Sequence, residues 1–304
     1  MYELIIIGAG PAGMTAAVYA ARKKLNALLI SSDIGGQVLW TAGVENYMGY
    51  QLIEGSELMS KFEEQVKLFP IDIKTGERVN SLSQTNKGFK VQTVKGESYQ
   101  ARAVIIATGK RPRQLNVPGE EKLKGKGVTY CATCDGPLFA GENVAIIGGG
   151  NSALETAENM VKIAKHIHLV SLTPFTGDQI LIDKLTGASN ITVLLEHEVL
   201  EIKGENRVKR IKIRDLKNKQ ERELDVSGVF IEIGLIPNST PVKEIVQLNR
   251  LGEIEVSCAN ETSVLGLFAA GDVTNVPEKQ IVVAAGEGAK AALQAHRYLQ
   301  RLSR

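Results

Sequence analysis

The sequence predicts an α/β fold assembled from two copies of one strand–turn–helix–strand unit, each completed by a β-meander. Three observations predict it. A glycine-rich turn joins a buried strand to a helix at the N-terminus, a second such turn lies mid-chain, and each unit is followed by hairpin-like stretches closing on another apolar strand.

Tyr2 to Ile7 is a short, β-branched apolar run, the pattern of a parallel strand covered on both faces. It ends in Gly8-Ala9-Gly10-Pro11-Ala12-Gly13, and the alanine-rich MTAAVYAARKK that follows reads as a helix. Ala27 to Ser31 then reads as the second strand. In this context GxGxxG carries a mechanism. Gly8 permits the tight turn, Gly10 lets backbone approach a pyrophosphate, and Gly13 lets helix and strand pack closely. The helix N-terminus faces the phosphate charge.

The segment 89–109 reads as a hairpin returning to a buried strand that ends in Ala107-Thr108-Gly109. The device then recurs. Asn143 to Ile147 is a strand, Gly148-Gly149-Gly150-Asn151-Ser152-Ala153 the turn, LETAENMVKIAK the helix and HIHLVS the next strand. Ile6, Gly8, Gly10 and Ser31 match Ile146, Gly148, Gly150 and Ser171 at one constant offset. The segment 207–234 repeats the hairpin-to-strand pattern and closes on Gly234, just before Pro237-Asn238. These are two Rossmann-like dinucleotide-binding units, which imply two dinucleotides or one duplicated site gone silent. The breaks between them are expected near Arg113 and Ser239.

Composition excludes other classes. With 304 residues the chain has room for two domains, and 36 Lys and Arg against 34 Asp and Glu leave a net charge of +2. No basic footprint for nucleic acid or an anionic membrane results. The sequence opens directly on YELIIIGAG, without a basic leader region, and no apolar run approaches the ~20 residues that span a bilayer. Three cysteines make no secreted disulfide scaffold. A cytoplasmic protein is expected.

Cys131 and Cys134 stand two residues apart in YCATCDGPLF, followed by Asp135. A zinc site needs four ligands, and neither Cys258 nor His166, His168, His197 and His296 fall in ligand spacing, so no metal is expected. A structural disulfide this short closes almost no loop. Redox exchange fits better: CxxC thiols can be acidified, and Asp135 is placed to handle the proton, or else serves as a turn residue before Gly-Pro. Cys258 is expected to be a small packing residue, and Trp40 core or edge packing. A dithiol relay must be reloaded, and FAD with a nicotinamide nucleotide are the two-electron carriers that fit two dinucleotide units.

IGAGPAG at the N-terminus, and CATCDGP just before GGGNSA, make the chain resemble the low-molecular-weight thioredoxin reductase family. The likeness extends through Ile34-Gly35-Gly36-Gln37, Val44-Glu45-Asn46, Ala107-Thr108-Gly109 and Ala270-Gly271-Asp272-Val273. It implies three-layer ββα domains, the second inserted in the first: 1–113 with 240–304 for FAD, and 114–239 for the nicotinamide nucleotide and the CxxC. It implies FAD contacts from Gly8–Gly13, from the Ser31–Gln37 loop including Ser32, Gly35 and Gly36, and from Asn46. Asp272, next to Gly271, and Lys279-Gln280-Ile281 join them, with the last helix starting near the flavin ring. Cys134 would be the flavin-proximal thiol, the inserted domain would rotate about its two connections, and the molecule would be a homodimer.

CDGPLFAGENVAIIGGGNS, IGLIPN and EKQIVVAAGEGAKA are similar to one branch, the reductase portion of the alkyl hydroperoxide reductase flavoprotein. That protein carries thioredoxin-like modules ahead of its reductase portion. This sequence starts at the FAD strand, so a separate thioredoxin or glutaredoxin-like acceptor is expected.

One stretch departs from the family. NADPH-dependent members place an arginine cluster after the second unit's second strand, where guanidinium groups bond the 2′-phosphate. Here the stretch is SLTPFTG, 171–177, with no arginine or lysine. NADH enzymes set an acid about 20 residues past the glycine turn, and Ser171 holds that place. NADH is the expected donor, with permissive NADPH use or a ferredoxin-fed homologue as alternatives. An NADH oxidase or peroxidase, or a non-catalytic flavin-binding sensor, are rival activities.

Overall fold

Tyr2–Ala9 can be apolar on both sides because both sides are covered. Leu4 and Ile6 pack with Ala12, Ala16, Ala20 and Ala291, whereas Ile5 and Ile7 pack with Phe89, Val91 and Ile106. Alternate side chains of one strand thus serve two cores, as the pleat requires. Each fully buried Leu or Ile contributes roughly 1.5–3 kcal/mol.

The computed structural model describes residues 1–40, 44 and 46–302, apart from the side chains of Trp40, Thr133 and Cys134. Two compact units emerge: Met1–Leu39 with Val44–Arg111 and Ile236–Arg304, and Pro112–Leu235.

In the first unit five strands run parallel in the order Asp72–Thr75, Ala27–Ile34, Tyr2–Ala9, Ser98–Ile106, Leu267–Ala269. Val79–Thr85 and Gly88–Thr93 add an antiparallel meander. Ser98–Ile106 serves both layers: Ser98 to Ala101 pairs with the meander, and Ala101 to Ile106 pairs with Tyr2–Ala9. Helices Pro11–Arg22 and Ile281–Leu302 cover the other face. Alanines allow them to approach closely, and a side chain on Gly288 would strike the carbonyl of Ala12.

The second unit repeats the plan with a change. Its parallel order is Ile191–Leu195, His166–Ser171, Asn143–Ile147, Gly228–Ile231, Val128–Thr129. The meander, His197–Gly204, Val208–Asp215 and Glu221–Asp225, is a separate three-stranded sheet. The segment 207–234, expected to be a hairpin returning to a buried strand, does not run on within one sheet. Instead the backbone changes partners: the Val226 N–H bonds Lys209 O, and the Ser227 N–H bonds Asn143 O. The next residue, Gly228, has Phe139 where a side chain would go.

The helix expected to run through LETAENMVKIAK spans Asn151–Met160. Asn190 ends it, donating from Nδ2 to the carbonyls of Val161 at 3.0 Å and Ala164 at 3.1 Å. Among the described residues no helix is long and apolar enough to cross a membrane.

Candidate functional site

The first glycine turn has the shape its residue types dictate. Gly8 lies at φ +108°, and side chains on Gly8 or Gly13 would strike the carbonyls of Ala107 and Gly8. Gly10 differs. Nothing lies within 4 Å of where its Cβ would be, leaving an open cradle beside the start of helix Pro11–Arg22. Pro11 opens that helix, and the first-turn N–H groups of Ala12 and Gly13 have no intrahelical acceptors. This is a place for an anion.

The predicted FAD loops converge here. The Gly35 N–H bonds Ala9 O at 2.8 Å, and a Cβ on Gly36 would lie 3.7 Å from Gly10 Cα. Asp33 shapes the loop, accepting from the Gly36 N–H at 3.1 Å and from Ser32 Oγ at 2.9 Å. Gln37 Nε2 donates to Asp272 at 3.3 Å, and Asn46 Nδ2 to Gln280 Oε1 at 3.1 Å. Asn238 fastens Ala107-Thr108-Gly109: its Nδ2 donates to Thr108 O, its carbonyl accepts from Thr108 Oγ1, and its N–H bonds Gly109 O. Gly271, at φ +76°, donates its N–H to buried Glu287 in the last helix. That helix begins at Ile281. Burial pushes the Asp272 carboxyl up, against the pull of Lys279 and Lys110. The residues fit FAD.

Sequence reasoning missed a charged cluster here. Glu253, 6% exposed, accepts from Lys110 Nζ at 2.5 Å and Asn249 Nδ2 at 2.6 Å, and Lys279 Nζ lies 3.3 Å away. Burial pushes its carboxyl up, but Lys110, Asn249 and Lys279 prevail and hold it below its ordinary value. A Glu253→Gln variant is expected to lose about 2 kcal/mol of stability at neutral pH, since an amide oxygen still accepts from one lysine. The folded value lies below the unfolded one. The stabilisation is therefore complete above about pH 4.3 and fades as pH falls through the lower folded value. Urea unfolding of both proteins at pH 7 and near pH 3 checks this: the gap should close in acid.

In the second unit Gly148 is at φ +146°, and Gly150 is open, with Thr176 Oγ1 3.8 Å from its Cβ position. Asn151 opens the helix, Ser152 follows, and Ala153 is buried beneath the turn. The Thr176 N–H bonds Gly149 O at 2.8 Å, and the Asp178 N–H bonds Asn151 Oδ1 at 2.7 Å, so SLTPFTG is pinned to the turn. These residues fit a dinucleotide.

The matched serines do not offer their hydroxyls outward. Ser31, 8% exposed, accepts from the Ala9 N–H at 3.1 Å. Ser171, 2% exposed, has its hydroxyl where a Gly149 side chain would lie. Ser31 thus bonds the second residue of its turn, and Ser171 packs against the second residue of its own.

Cys131 is engaged in a disulfide, and Cys258 is a free thiol. The side chain of Cys134 lies outside the described residues. Cys131 caps the short helix Ala132–Asp135. Thr129 organises it: its Oγ1 accepts from the Cys131 N–H at 3.2 Å and donates to the Asp135 carboxylate. Asp135 is therefore part of the cysteine turn's own bonding. Cys258 is exposed rather than packed, because Asn260 takes the buried place in that turn and bonds Ala269 through Nδ2 and carbonyl. Among the described residues no cluster could hold a metal ion.

The family model of pyridine nucleotide-disulphide oxidoreductases matches residues 2–288. The chain belongs to this family. As an oxidoreductase of that family it is 42% identical over 301 residues to alkyl hydroperoxide reductase F of Staphylococcus aureus strain MSSA476, and 41% over 305 residues to that of Escherichia coli K12. Each match takes in 99% of this chain but only 59% and 58% of the relative, so the chain spans less than two thirds of these proteins. Among solved structures, thioredoxin reductase of Streptococcus pyogenes MGAS5005 matches with a TM-score of 0.88 and 36% identity over 99% of each chain. That of Lactococcus lactis matches with a TM-score of 0.74 and 32% identity, over 99% of this chain and 100% of the other. The pyridine-nucleotide oxidoreductase fold is thus common to relatives covered from end to end.

Proposed function

We propose that the protein is a flavin-dependent disulfide reductase taking electrons from NADH, with NADPH the poorer donor, and delivering them through a Cys131–Cys134 disulfide to a thioredoxin or glutaredoxin-like protein. The observation that carries the reading is the Cys131 disulfide in the unit that holds the second open glycine turn. Residues 1–113 and 240–304 would hold FAD, and 114–239 the nicotinamide nucleotide. A cytoplasmic setting suits a disulfide that must be reduced repeatedly.

When bound, FAD supplies a carrier that takes hydride from reduced nicotinamide and gives electrons to sulfur. Gly8 to Gly13 and the Ser31–Gln37 loop would hold its phosphates and ribose. Asp272, steadied by Gln37, would bond a hydroxyl, and Asn46, Lys279 and Gln280 would position the ring end. Gly148 to Ala153 would receive the nicotinamide nucleotide's pyrophosphate. The chain's own chemistry is exchange at sulfur. A thiolate of the reduced pair attacks the acceptor's disulfide, a mixed disulfide forms, and the second thiolate resolves it, leaving the acceptor as a dithiol. Asp135 would move the proton that this requires, with Thr129 fixing its carboxylate.

The donor preference rests on charge. SLTPFTG holds no cationic side chain to pair with a 2′-phosphate, and Asp178, joined to Asn151 by hydrogen bonds, adds a negative charge at the turn. Missing one charge-assisted bond costs about 1.5–3 kcal/mol. Half-bleaching of flavin absorbance in an anaerobic titration should then need roughly tenfold less NADH than NADPH. Bleaching by NADPH at the lower concentration would overturn the preference.

A further inference from the structure

We propose that Glu287 is a positioning residue for FAD: from the last helix it fixes the turn 271–274, and with it the direction of the Asp272 carboxylate. This rests on the proposal that Asp272 bonds a hydroxyl of FAD.

Asp272 stands inside a closed turn. The Thr274 N–H bonds Gly271 O at 3.0 Å, which sets Asp272 and Val273 at the centre of a β-turn. The chain enters it from Leu267–Ala269, with the Ala270 N–H bonded to Ile106 O at 2.9 Å. Gly271 takes the left-handed backbone conformation the entry requires, at φ +76°. A Cβ there would lie 3.0 Å from Ala12 Cβ and 3.5 Å from Ala284 Cβ. The turn is therefore wedged against the first turns of helices Pro11–Arg22 and Ile281–Leu302.

Glu287 holds this turn by its first and last residues. Its Oε2 accepts from the Gly271 N–H at 2.9 Å. The Thr274 hydroxyl has one proton, given chiefly to Gly271 O at 2.8 Å, with Glu287 Oε2 the longer arm at 3.4 Å. Lys279 Nζ donates to Thr274 O at 2.6 Å from the far side. The bond from Gln37 to Asp272 itself is longer, at 3.3 Å, so the carboxylate takes its direction mainly from the turn beneath it.

Glu287 is 5% exposed, in a helix whose buried neighbours are Ala284, Ala285, Gly288 and Ala291. A carboxylate is costly to bury there without donors. Among the described residues, both groups that hydrogen-bond it belong to the Asp272 turn. Without that acceptor the Gly271 N–H would be left unpaired in the interior, and the turn would be free to re-aim Asp272.

The test is a double-substitution cycle on FAD affinity, read as free flavin in ultrafiltrates of the full-length holoprotein over a dilution series. Glu287→Leu, which keeps the bulk without an acceptor, should raise the FAD dissociation constant about tenfold, as loss of one such bond does. Asp272→Ala should raise it at least as far. In the Asp272→Ala background, Glu287→Leu should add less than about twofold, because it acts through Asp272. Glu287→Gln still offers Gly271 an oxygen and should stay within about threefold of the wild type. Thr274→Val, which also weakens FAD only while Asp272 is present, carries the same cycle if Glu287→Leu does not fold. Wild-type affinity in Glu287→Leu, the same loss with and without Asp272, or a glutamine variant as weak as the leucine one would overturn the inference alone. Wild-type affinity in Asp272→Ala would overturn the Asp272 reading, and the inference with it.

Discussion

A Cys131→Ser variant is expected to lose reduction of a thioredoxin-like protein by a factor on the order of 10³ or more, while retaining FAD and its bleaching by NADH. The substitution removes a sulfur and little else. The Cys131 N–H bond to Thr129 and the Asp135 N–H bond to Cys131 O are backbone donors and acceptors that serine leaves in place. The turn should therefore persist, and the loss should fall on exchange rather than folding. Insulin reduction coupled to a thioredoxin, run beside NADH oxidation in air, measures both. If acceptor reduction survives the substitution, or falls only with flavin content, the cysteine pair is not the route. A pure NADH oxidase would keep its whole turnover.

Gly10→Val is expected to give a folded protein isolated without flavin. Gly10 has φ −80°, a value any residue adopts, and open space where a Cβ would stand. The valine should cost the apoprotein little, yet its methyls would fill the cradle at the head of helix Pro11–Arg22. Overfilling a fitted site costs on the order of 3 kcal/mol or more, enough to lose a dissociable cofactor during purification. Gly13→Ala is the contrasting case, because its Cβ would strike the Gly8 carbonyl and the turn itself would have to open. Flavin absorbance per protein, with circular dichroism for folding, separates the two. Full flavin content in Gly10→Val would remove the first turn from the FAD site.

The contrast between these glycines shows how much was legible in the sequence. Backbone requirements are local: a strand, a glycine at positive φ and a helix start leave a spaced signature, so both turns and the strands around them could be read directly. The cysteine pair was legible for the same reason. What could not be read were partners brought together from afar. Lys110 and Glu253 meet across 143 residues, and Ser152 and Glu232 across 80. Only Glu232 left a trace, as a charge inside an apolar strand run. The repeat placed Ser31 and Ser171 in the second strand of their units but carried no information on which way the hydroxyls turn. The break at Val226 and Ser227 was hidden too, because the alternation of apolar residues continues across it.

The central claim is that reduced nicotinamide loads two redox centres in series, a flavin and the Cys131 disulfide. Anaerobic titration of the oxidised flavoprotein with NADH, beside Cys131→Ser, tests it most directly. The wild type should take up roughly twice the reducing equivalents of the variant, since flavin and disulfide each accept one electron pair. Equal uptake by the two proteins, with flavin bleached in both, would contradict it.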